Sequence, residues 1–293
     1  MPAKLHSCCA IALLASACAT QAATFNWPQA HLQTAANWLG RILPENNVYG
    51  SPAAISLDAN QVLRATSQCG SFMALLLQQS YPQLSADVLQ GLTGSVSPDA
   101  AQWYDALDPA IAHSAYRGMA LQPLDAAAGL AANGRRLRLH GSLLLQRGDL
   151  LVSKYKAGDS RGHVMMVESF IAPAPAQVMS LQDTRAIPGV SLVRRWMVTV
   201  IDSTSSAHGS SDSRYLNDSR ESDGHDRGIG RAVLYLYEDA SPGSGQQGHL
   251  AGWSWSTASA YTYQFSQPGA VDNLGKSTYR PLLIGRMVQL QAK

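Results

Sequence analysis

The spacing of apolar residues changes from helical in the first half of the chain to strand-like in the second. The segment that starts near residue 69 carries an apolar run rich in helix formers and ends before Pro82. Residues 97–107 combine a capping position, a proline at the first turn and an amphipathic run. Short apolar stretches typical of strands follow at 148–152, 162–168, 196–202, 232–237, 252–256 and 282–288. This order predicts an α+β domain in which N-terminal helices pack on an antiparallel β-sheet supplied by the C-terminal half.

Two stretches interrupt this pattern. Residues 83–145 form an apparent insertion that we interpret as mostly helical, with an alanine-rich helix over 124–133 that Gly134 can cap. Residues 203–231 are rich in Ser, Asp, Gly and Arg, a composition typical of a long polar loop. We therefore expect a leader at 1–22 followed by a single domain at 23–293.

The leader has the layout of a secretory signal peptide. Lys4 precedes an apolar run over 10–19, and small residues follow through Ala23, so we expect cleavage near Ala22. The apolar run of about ten residues is shorter than the ~20 that span a bilayer. These features predict an exported protein, periplasmic or secreted, without an integral membrane span. The stretch 14–18 resembles a bacterial lipobox, so a lipid anchor at Cys18 stays open.

Composition and charge exclude several classes of protein. The chain has 293 residues, of which 46% are hydrophobic and 14% charged, and this composition supports a globular core rather than a disordered or fibrous chain. The formal net charge is only +2, which argues against nucleic acid binding by charge as the main activity.

The cysteines single out one residue. Three of the four cysteines lie within the leader, so Cys69 has no partner for an intrachain disulfide in the mature protein. An exported protein with one unpaired thiol either buries it or uses it. Cys69 stands where small polar residues give way to the helical run, and the start of a helix favours thiolate over thiol. This position predicts a nucleophile.

A thiolate nucleophile needs a base and a group that orients the base. His163 begins the strand at 162–168 and shares a face with Met165 and Val167. The strand at 196–202 ends at Asp202. If these strands are antiparallel neighbours, Asp202 falls beside His163.

These residues resemble the NlpC/P60 cysteine peptidases, a papain-like family that cleaves bacterial cell-wall peptides. The family pattern is a D-C-S-G-F-like motif at a helix start, then G-D-L, then G-H-V, then a polar residue on the next strand. Here Q-C-G-S-F at 68–72, G-D-L at 148–150, G-H-V at 162–164 and Asp202 match it. Tyr49-Gly50 is similar to the aromatic-glycine turn that precedes the nucleophile.

The chain also departs from this pattern. Gly70-Ser71 stands where the family has Ser-Gly, Gln68 stands where Asp is usual, and the interval from Cys69 to His163 is long. The CHAP amidases share the same order of residues, so the subfamily stays open.

The resemblance implies a cysteine peptidase or amidase with Cys69 as nucleophile, His163 as base and Asp202 as its orienting partner. The substrate would be a peptide bond in peptidoglycan, with Tyr49 and Gln68 contacting it. His208 and Arg214, close to Asp202 in the polar loop, would shape the cleft or bind a substrate carboxylate. We expect no cofactor and no nucleic acid partner.

Other functions stay open at this point. The same constellation would serve a thiol esterase or acyltransferase, or Cys69 would be buried in a protein that binds wall fragments or a partner. A metal site from His208, Asp212, His225 and Asp226 is conceivable from the ligand types. No metal-binding motif surrounds these residues, and we expect no metal.

Two tryptophans alternate on the strand at 252–256. Trp253 and Trp255 therefore point to one face. Such a pair serves either as packing for a sheet or as a stacking platform for sugar, and we favour packing.

Overall fold

The computed structural model describes residues 29–108, 115–116, 119–123, 145–155, 162–171, 178–180, 190–215, 225–243, 250–255, 263–264 and 279–289. The predicted leader, with Cys18, and the predicted helix at 124–133 lie outside the described residues.

The helices of the described chain precede its main sheet in sequence. They are α1 (Gln29–Leu39), α2 (Cys69–Ser80), α3 (Ala86–Thr93) and α4 (Ala100–Leu107). α4 covers most of the helix predicted at 97–107, and it starts at Ala100 because the side chain of Asp99 caps it. That side chain accepts a hydrogen bond of 2.9 Å from the backbone N–H of Gln102.

A small sheet lies between α1 and α2 in the chain. It contains β1 (Ile42–Tyr49), β2 (Ala54–Leu57) and β3 (Leu63–Ser67), in the order β1-β3-β2. β3 runs parallel to β1 and antiparallel to β2. Because α2 begins two residues after β3 ends, this sheet determines where the first turn of α2 lies.

The main sheet of the described chain has ten strands, and all its pairings are antiparallel. In spatial order the path runs β12-β11-β10-β9-β7-β6-β13-β5-β4, and β8 pairs with β9 off this path. The strands are β4 (Ala115–Tyr116), β5 (Met119–Pro123), β6 (Leu150–Lys154), β7 (Gly162–Ile171), β8 (Val178–Ser180), β9 (Leu192–Thr204), β10 (Gly228–Asp239), β11 (Leu250–Ser254), β12 (Tyr263–Gln264) and β13 (Leu282–Gln289).

The two faces of the main sheet belong to different apolar clusters. On one face Val164, Met166 and Ile201 pack with Phe72 and Leu76 of α2. On the other face Met165, Val167 and Val200 pack with Trp253. This alternation along β7 is the one that the sequence predicts.

The predicted α+β class is confirmed, and its details need three corrections. The insertion at 83–145, predicted as mostly helical, also contains strands, because β5 pairs with β13 and β4 pairs with β5 at the edge of the main sheet. The N-terminal half therefore supplies strands as well as helices. The predicted loop at 203–231 is shorter, because β9 continues through Thr204 and β10 begins at Gly228.

Within the described residues, every helix falls short of the length and apolarity that crossing a bilayer requires. Trp253 is fully buried, and its Nε1–H donates to the carbonyl of Arg280 at 2.9 Å. The packing interpretation therefore holds for Trp253.

Candidate active site

Cys69 occupies the first position of α2, as the sequence predicts. Gln68 precedes it in an extended conformation as the N-cap residue. The carbonyl of Gln68 accepts the N–H of Phe72 at 2.8 Å, and the Oγ of Ser71 accepts the N–H of Gln68 at 3.0 Å. The N–H groups of Cys69, Gly70 and Ser71 belong to the first turn, where helix geometry provides no intrahelical acceptor. The Cys69 thiol is free and 7% exposed.

Gly70 lets α2 start against the loop before α4. A Cβ atom at this position would lie 2.3 Å from the carbonyl oxygen of Pro98, so no larger residue fits without displacement. The indole Nε1–H of Trp103, which is fully buried, donates to the Gly70 carbonyl at 3.1 Å. This packing accounts for glycine directly after Cys69, where the family pattern has serine.

His163 and Asp202 meet because their strands are antiparallel neighbours. β7 pairs with β9 in a register that places Met165 opposite Asp202. The Nε2 atom of His163 lies 2.5 Å from Oδ2 of Asp202. Gly162 has a φ of +143° and lies so close to β6 that a Cβ atom would be 2.1 Å from the carbonyl oxygen of Ser153. This close approach of the backbone places His163 at the start of β7.

A pair of buried serines connects the segment before Cys69 to β9, the strand that carries Asp202. The Oγ of Ser203, next to Asp202, donates to the carbonyl of Ser67 at 3.0 Å. The Oγ of Ser67, two residues before Cys69, donates to the Oγ of Ser203 at 3.1 Å. Both residues are fully buried, so the end of β3 is fixed directly on the end of β9.

Charges in the site favour the protonated form of His163. Burial disfavours the imidazolium of His163, but hydrogen bonds and charge interactions with Asp202 and Cys69 outweigh it and raise the pKa of His163 to about 10. Burial also opposes ionisation of Asp202, yet the charge of Arg214, with hydrogen bonds from His163 and His208, holds the pKa of Asp202 well below its usual range. Since Nε2 of His163 faces Asp202, its Nδ1 is left for the thiol.

Arg214, predicted to shape the cleft or bind a substrate carboxylate, is buried against two carboxylates of the protein itself. It is 5% exposed, and its Nη1 lies 2.7 Å from Oδ1 of Asp202 while its Nη2 lies 2.7 Å from Oδ2 of Asp212. The contact with Asp202 is an ion pair whose N–H is not aligned with Oδ1. Gly230 makes room, because a Cβ there would lie 2.6 Å from Cδ of Arg214. Arg214 therefore stabilises the buried carboxylate of Asp202.

His208 also contacts Asp202. Its Nε2 lies 2.8 Å from the same Oδ2 atom that His163 contacts. The ring of Trp255 stacks on the His208 ring with centroids 3.6 Å apart and planes 4° apart. Burial, followed by the positive charges of His163 and Arg214, outweighs the pull of Asp202 and lowers the pKa of His208. His208 is therefore a neutral donor to Asp202, and the prediction that it contacts substrate has no support in this geometry.

The thiol opens on a cleft of about 480 Å³. Tyr49 and Gln68 line it, as expected for residues that contact substrate. Burial, with the negative charges of Cys69 and Asp202, raises the pKa of Tyr49 to about 12, so its hydroxyl stays protonated and can donate. The remaining lining consists mainly of small residues: Gly70, Ser71, Ser97, Pro98, Asp99, Ala100, Gly162 and Ser205.

The G-D-L motif serves the sheet next to the site. Asp149 is fully buried and forms an ion pair with Arg286 of β13, with Nε to Oδ1 at 2.7 Å. Its Oδ2 accepts the N–H of Gln146 at 2.6 Å. These contacts hold β6 between β7 and β13, and the motif therefore positions β7 rather than contacting substrate.

One cluster in the described residues has the spacing of metal ligands, namely His163, Asp202 and His208. This cluster fits a cation poorly. The two Nε2 atoms donate directly to the carboxylate, and the Arg214 guanidinium lies 2.7 Å from its other oxygen. Asp212, one of the conceivable ligands considered from the sequence, is paired with Arg214.

Sequence reasoning missed Trp255, the serine pair and the pairing of Arg214 within this site. Strand alternation placed Trp255 beside Trp253 but gave no indication of a ring facing His208. The serines carry no recognisable motif, and only the tertiary contact between the ends of β3 and β9 shows their role.

No family model matches the chain, and no solved structure matches it. A protein of Acanthamoeba polyphaga mimivirus, described as uncharacterized, is 24% identical over 234 residues, which cover 78% of this chain and 81% of the viral protein. This chain is thus similar over most of its length to a protein whose name states no activity.

Proposed function

We propose that the protein is an exported cysteine hydrolase that cleaves an amide bond, with Cys69 as nucleophile, His163 as acid and base, and Asp202 as the group that orients His163. The observation that carries this proposal is the position of His163. It contacts Asp202 through Nε2, its pKa is raised partly by its interaction with Cys69, and the Cys69 thiol lies at a helix N-terminus that faces a cleft.

The geometry supports acyl transfer through a thioester. The Cys69 thiolate attacks the carbonyl carbon, and the oxyanion that forms lies near the first-turn N–H groups of α2. The His163 imidazolium then donates its proton to the leaving amine, and the C–N bond breaks. His163, now neutral, takes a proton from water, and the hydroxide attacks the thioester and releases the acid and the thiolate.

The likeness to the NlpC/P60 family supports a peptide of bacterial peptidoglycan as substrate. The matching residues are Cys69, His163 and the polar group at Asp202, in the family's order. The signal-like leader supports the same substrate, because peptidoglycan lies outside the cytoplasmic membrane. A papain-like arrangement, with the nucleophile helix packed against a sheet that carries the base, is part of this proposal.

Incubation with purified peptidoglycan tests the function. The mature protein and its Cys69→Ala variant are compared by mass spectrometry of the released fragments, with matched melting temperatures as the control for folding. Release by the native protein alone supports a cysteine hydrolase, and the masses identify the bond. Release by both proteins would contradict a role for Cys69.

Two further results would redirect the proposal. Slow turnover of peptides with fast turnover of thioesters would replace amide hydrolysis by a thiol esterase or acyltransferase activity. A Cys69 thiol that reacts with iodoacetamide only after denaturation would replace the enzyme by a binding protein.

A further inference from the structure

The carboxylate of Asp202 has more partners than orienting one histidine requires. Oδ2 contacts Nε2 of both His163 and His208, at 2.5 Å and 2.8 Å. Oδ1 faces Nη1 of Arg214 at 2.7 Å. A single hydrogen bond to His163 would leave the carboxylate free to change its tilt, whereas contacts at both oxygens hold it in one orientation.

His208 is itself held from two sides. Its backbone N–H donates to Oδ2 of Asp212 at 2.9 Å, and its ring lies flat against Trp255 at 3.6 Å. Trp255 also meets the ring of His163 edge-on, with centroids 5.8 Å apart. Turning the His208 ring away from Asp202 would therefore break the stacking contact as well as the hydrogen bond.

We propose that His208 is a positioning residue whose Nε2–H fixes the Asp202 carboxylate, so that His163 holds its Nδ1 toward the Cys69 thiol. The inference rests on the proposed function, because it assigns His208 a part in the same Cys69 chemistry. His208 acts through Asp202 and not on the substrate.

The surrounding charges explain why the two histidines divide these roles. Hydrogen bonds and charge interactions with Asp202 and Cys69 stabilise the protonated form of His163. His208 faces Asp202 but also feels the positive charges of Arg214 and His163. The neutral imidazole of His208 donates one hydrogen bond to Asp202 without competing for the proton that the reaction moves.

The test uses variants that remove or restore this donor. His208→Ala removes it, and His208→Gln places an amide N–H near the position of Nε2. His225→Gln is the matched control, since His225 is a half-buried histidine outside the contacts of Asp202. Melting temperatures establish that each variant is folded.

The readout is the rate at which iodoacetamide alkylates Cys69, followed by mass spectrometry from acid to alkaline pH. We expect His208→Ala to react about 10- to 100-fold more slowly near neutral pH, the range that a hydrogen bond to a charged group provides. We expect His208→Gln to recover most of the rate and His225→Gln to match the wild type. A folded His208→Ala variant that reacts like the wild type would overturn the proposal, as would a His208→Gln variant no faster than His208→Ala.

This readout separates the inference from the proposed function. Alkylation requires no substrate, so slow alkylation in His208→Ala supports positioning even if the wild type releases nothing from peptidoglycan. If the wild type does cleave peptidoglycan, His208→Ala should lower kcat and leave KM unchanged. A change in KM alone would overturn positioning and leave the hydrolase in place.

Discussion

Replacing Gly70 by alanine tests how the fold places Cys69, and its outcome does not depend on the substrate. The added Cβ would lie 2.3 Å from the Pro98 carbonyl oxygen and 3.0 Å from Cα of Asp99. Both neighbours are backbone atoms, which cannot rotate away. Since real Cβ atoms essentially never approach closer than 3.0 Å, the start of α2 and the loop before α4 must separate.

Two opposing effects set the magnitude. Helix propensity alone favours alanine over glycine by up to ~1 kcal/mol. Overpacking costs about 1–3 kcal/mol, and the separation also weakens the hydrogen bond from Trp103 to the Gly70 carbonyl, a contact worth about 1 kcal/mol. The clash wins, so we expect the free energy of unfolding to fall by about 1–3 kcal/mol. For a domain of this size, that loss lowers the melting temperature by about 2–10 °C.

The assay combines thermal unfolding with alkylation of Cys69 in the native state. Because Cys69 adjoins the displaced residue, Gly70→Ala should slow alkylation even where the protein is fully folded. Gly40→Ala is the matched control, since the nearest atom to its Cβ would be 3.5 Å away. A Gly70→Ala variant with the melting temperature and alkylation rate of the wild type would refute the packing argument.

Three further predictions concern the charges and contacts around Cys69. His163 has its pKa raised to about 10, so the proton donor is present below that pH. Turnover should decline as pH rises through about 10. His163→Ala should slow the alkylation of Cys69 near neutral pH at least about 10-fold, and equal alkylation rates in the variant and the wild type would contradict the pairing of His163 with the thiol. Arg214→Met should lower the free energy of unfolding in urea by about 3–5 kcal/mol, because it leaves buried carboxylates without their cation; a change in KM alone would contradict this. Asn47→Ala removes hydrogen bonds of 2.8 and 2.7 Å to the backbone of Ile229 and should lower the free energy of unfolding in urea by about 1–3 kcal/mol. An unchanged free energy of unfolding would refute this prediction.

Strands in the core of the main sheet were predictable because their apolar runs are long and continuous. β7 and β9 are buried along most of their length, and their order placed Asp202 beside His163. The small sheet was not predictable from pattern. β1 contains Pro44 and the polar run 45–47 and is largely exposed, so it lacks the alternation that indicates a strand. β5 was missed because five residues inside a helical context carry too little signal.

The partners of the site were predictable only where strand geometry determined them. Cys69, His163 and Asp202 follow from a helix start and two neighbouring strands. Arg214 was predicted to shape the cleft or bind a substrate carboxylate because an arginine in a polar loop is normally solvated. Its burial depends on Gly230 making room from a distant strand and on Asp212 lying two residues earlier. Neither relation is expressed in a local pattern.

The number of charges around Asp202 bears on why this site exists. Burying a carboxylate, a guanidinium and an imidazolium together has a desolvation free energy that their mutual attraction does not fully offset. Proteins with apolar residues of similar volume in such positions are often more stable. Stability alone therefore gives no reason for this cluster beneath the sheet. Strongly shifted pKa values beside a nucleophile are typical of active sites, and the raised pKa of His163, about 10, beside the lowered pKa of Asp202 is such a pair. The cluster makes physical sense if it keeps a proton on His163, ready for transfer to the leaving group of a substrate held at Cys69.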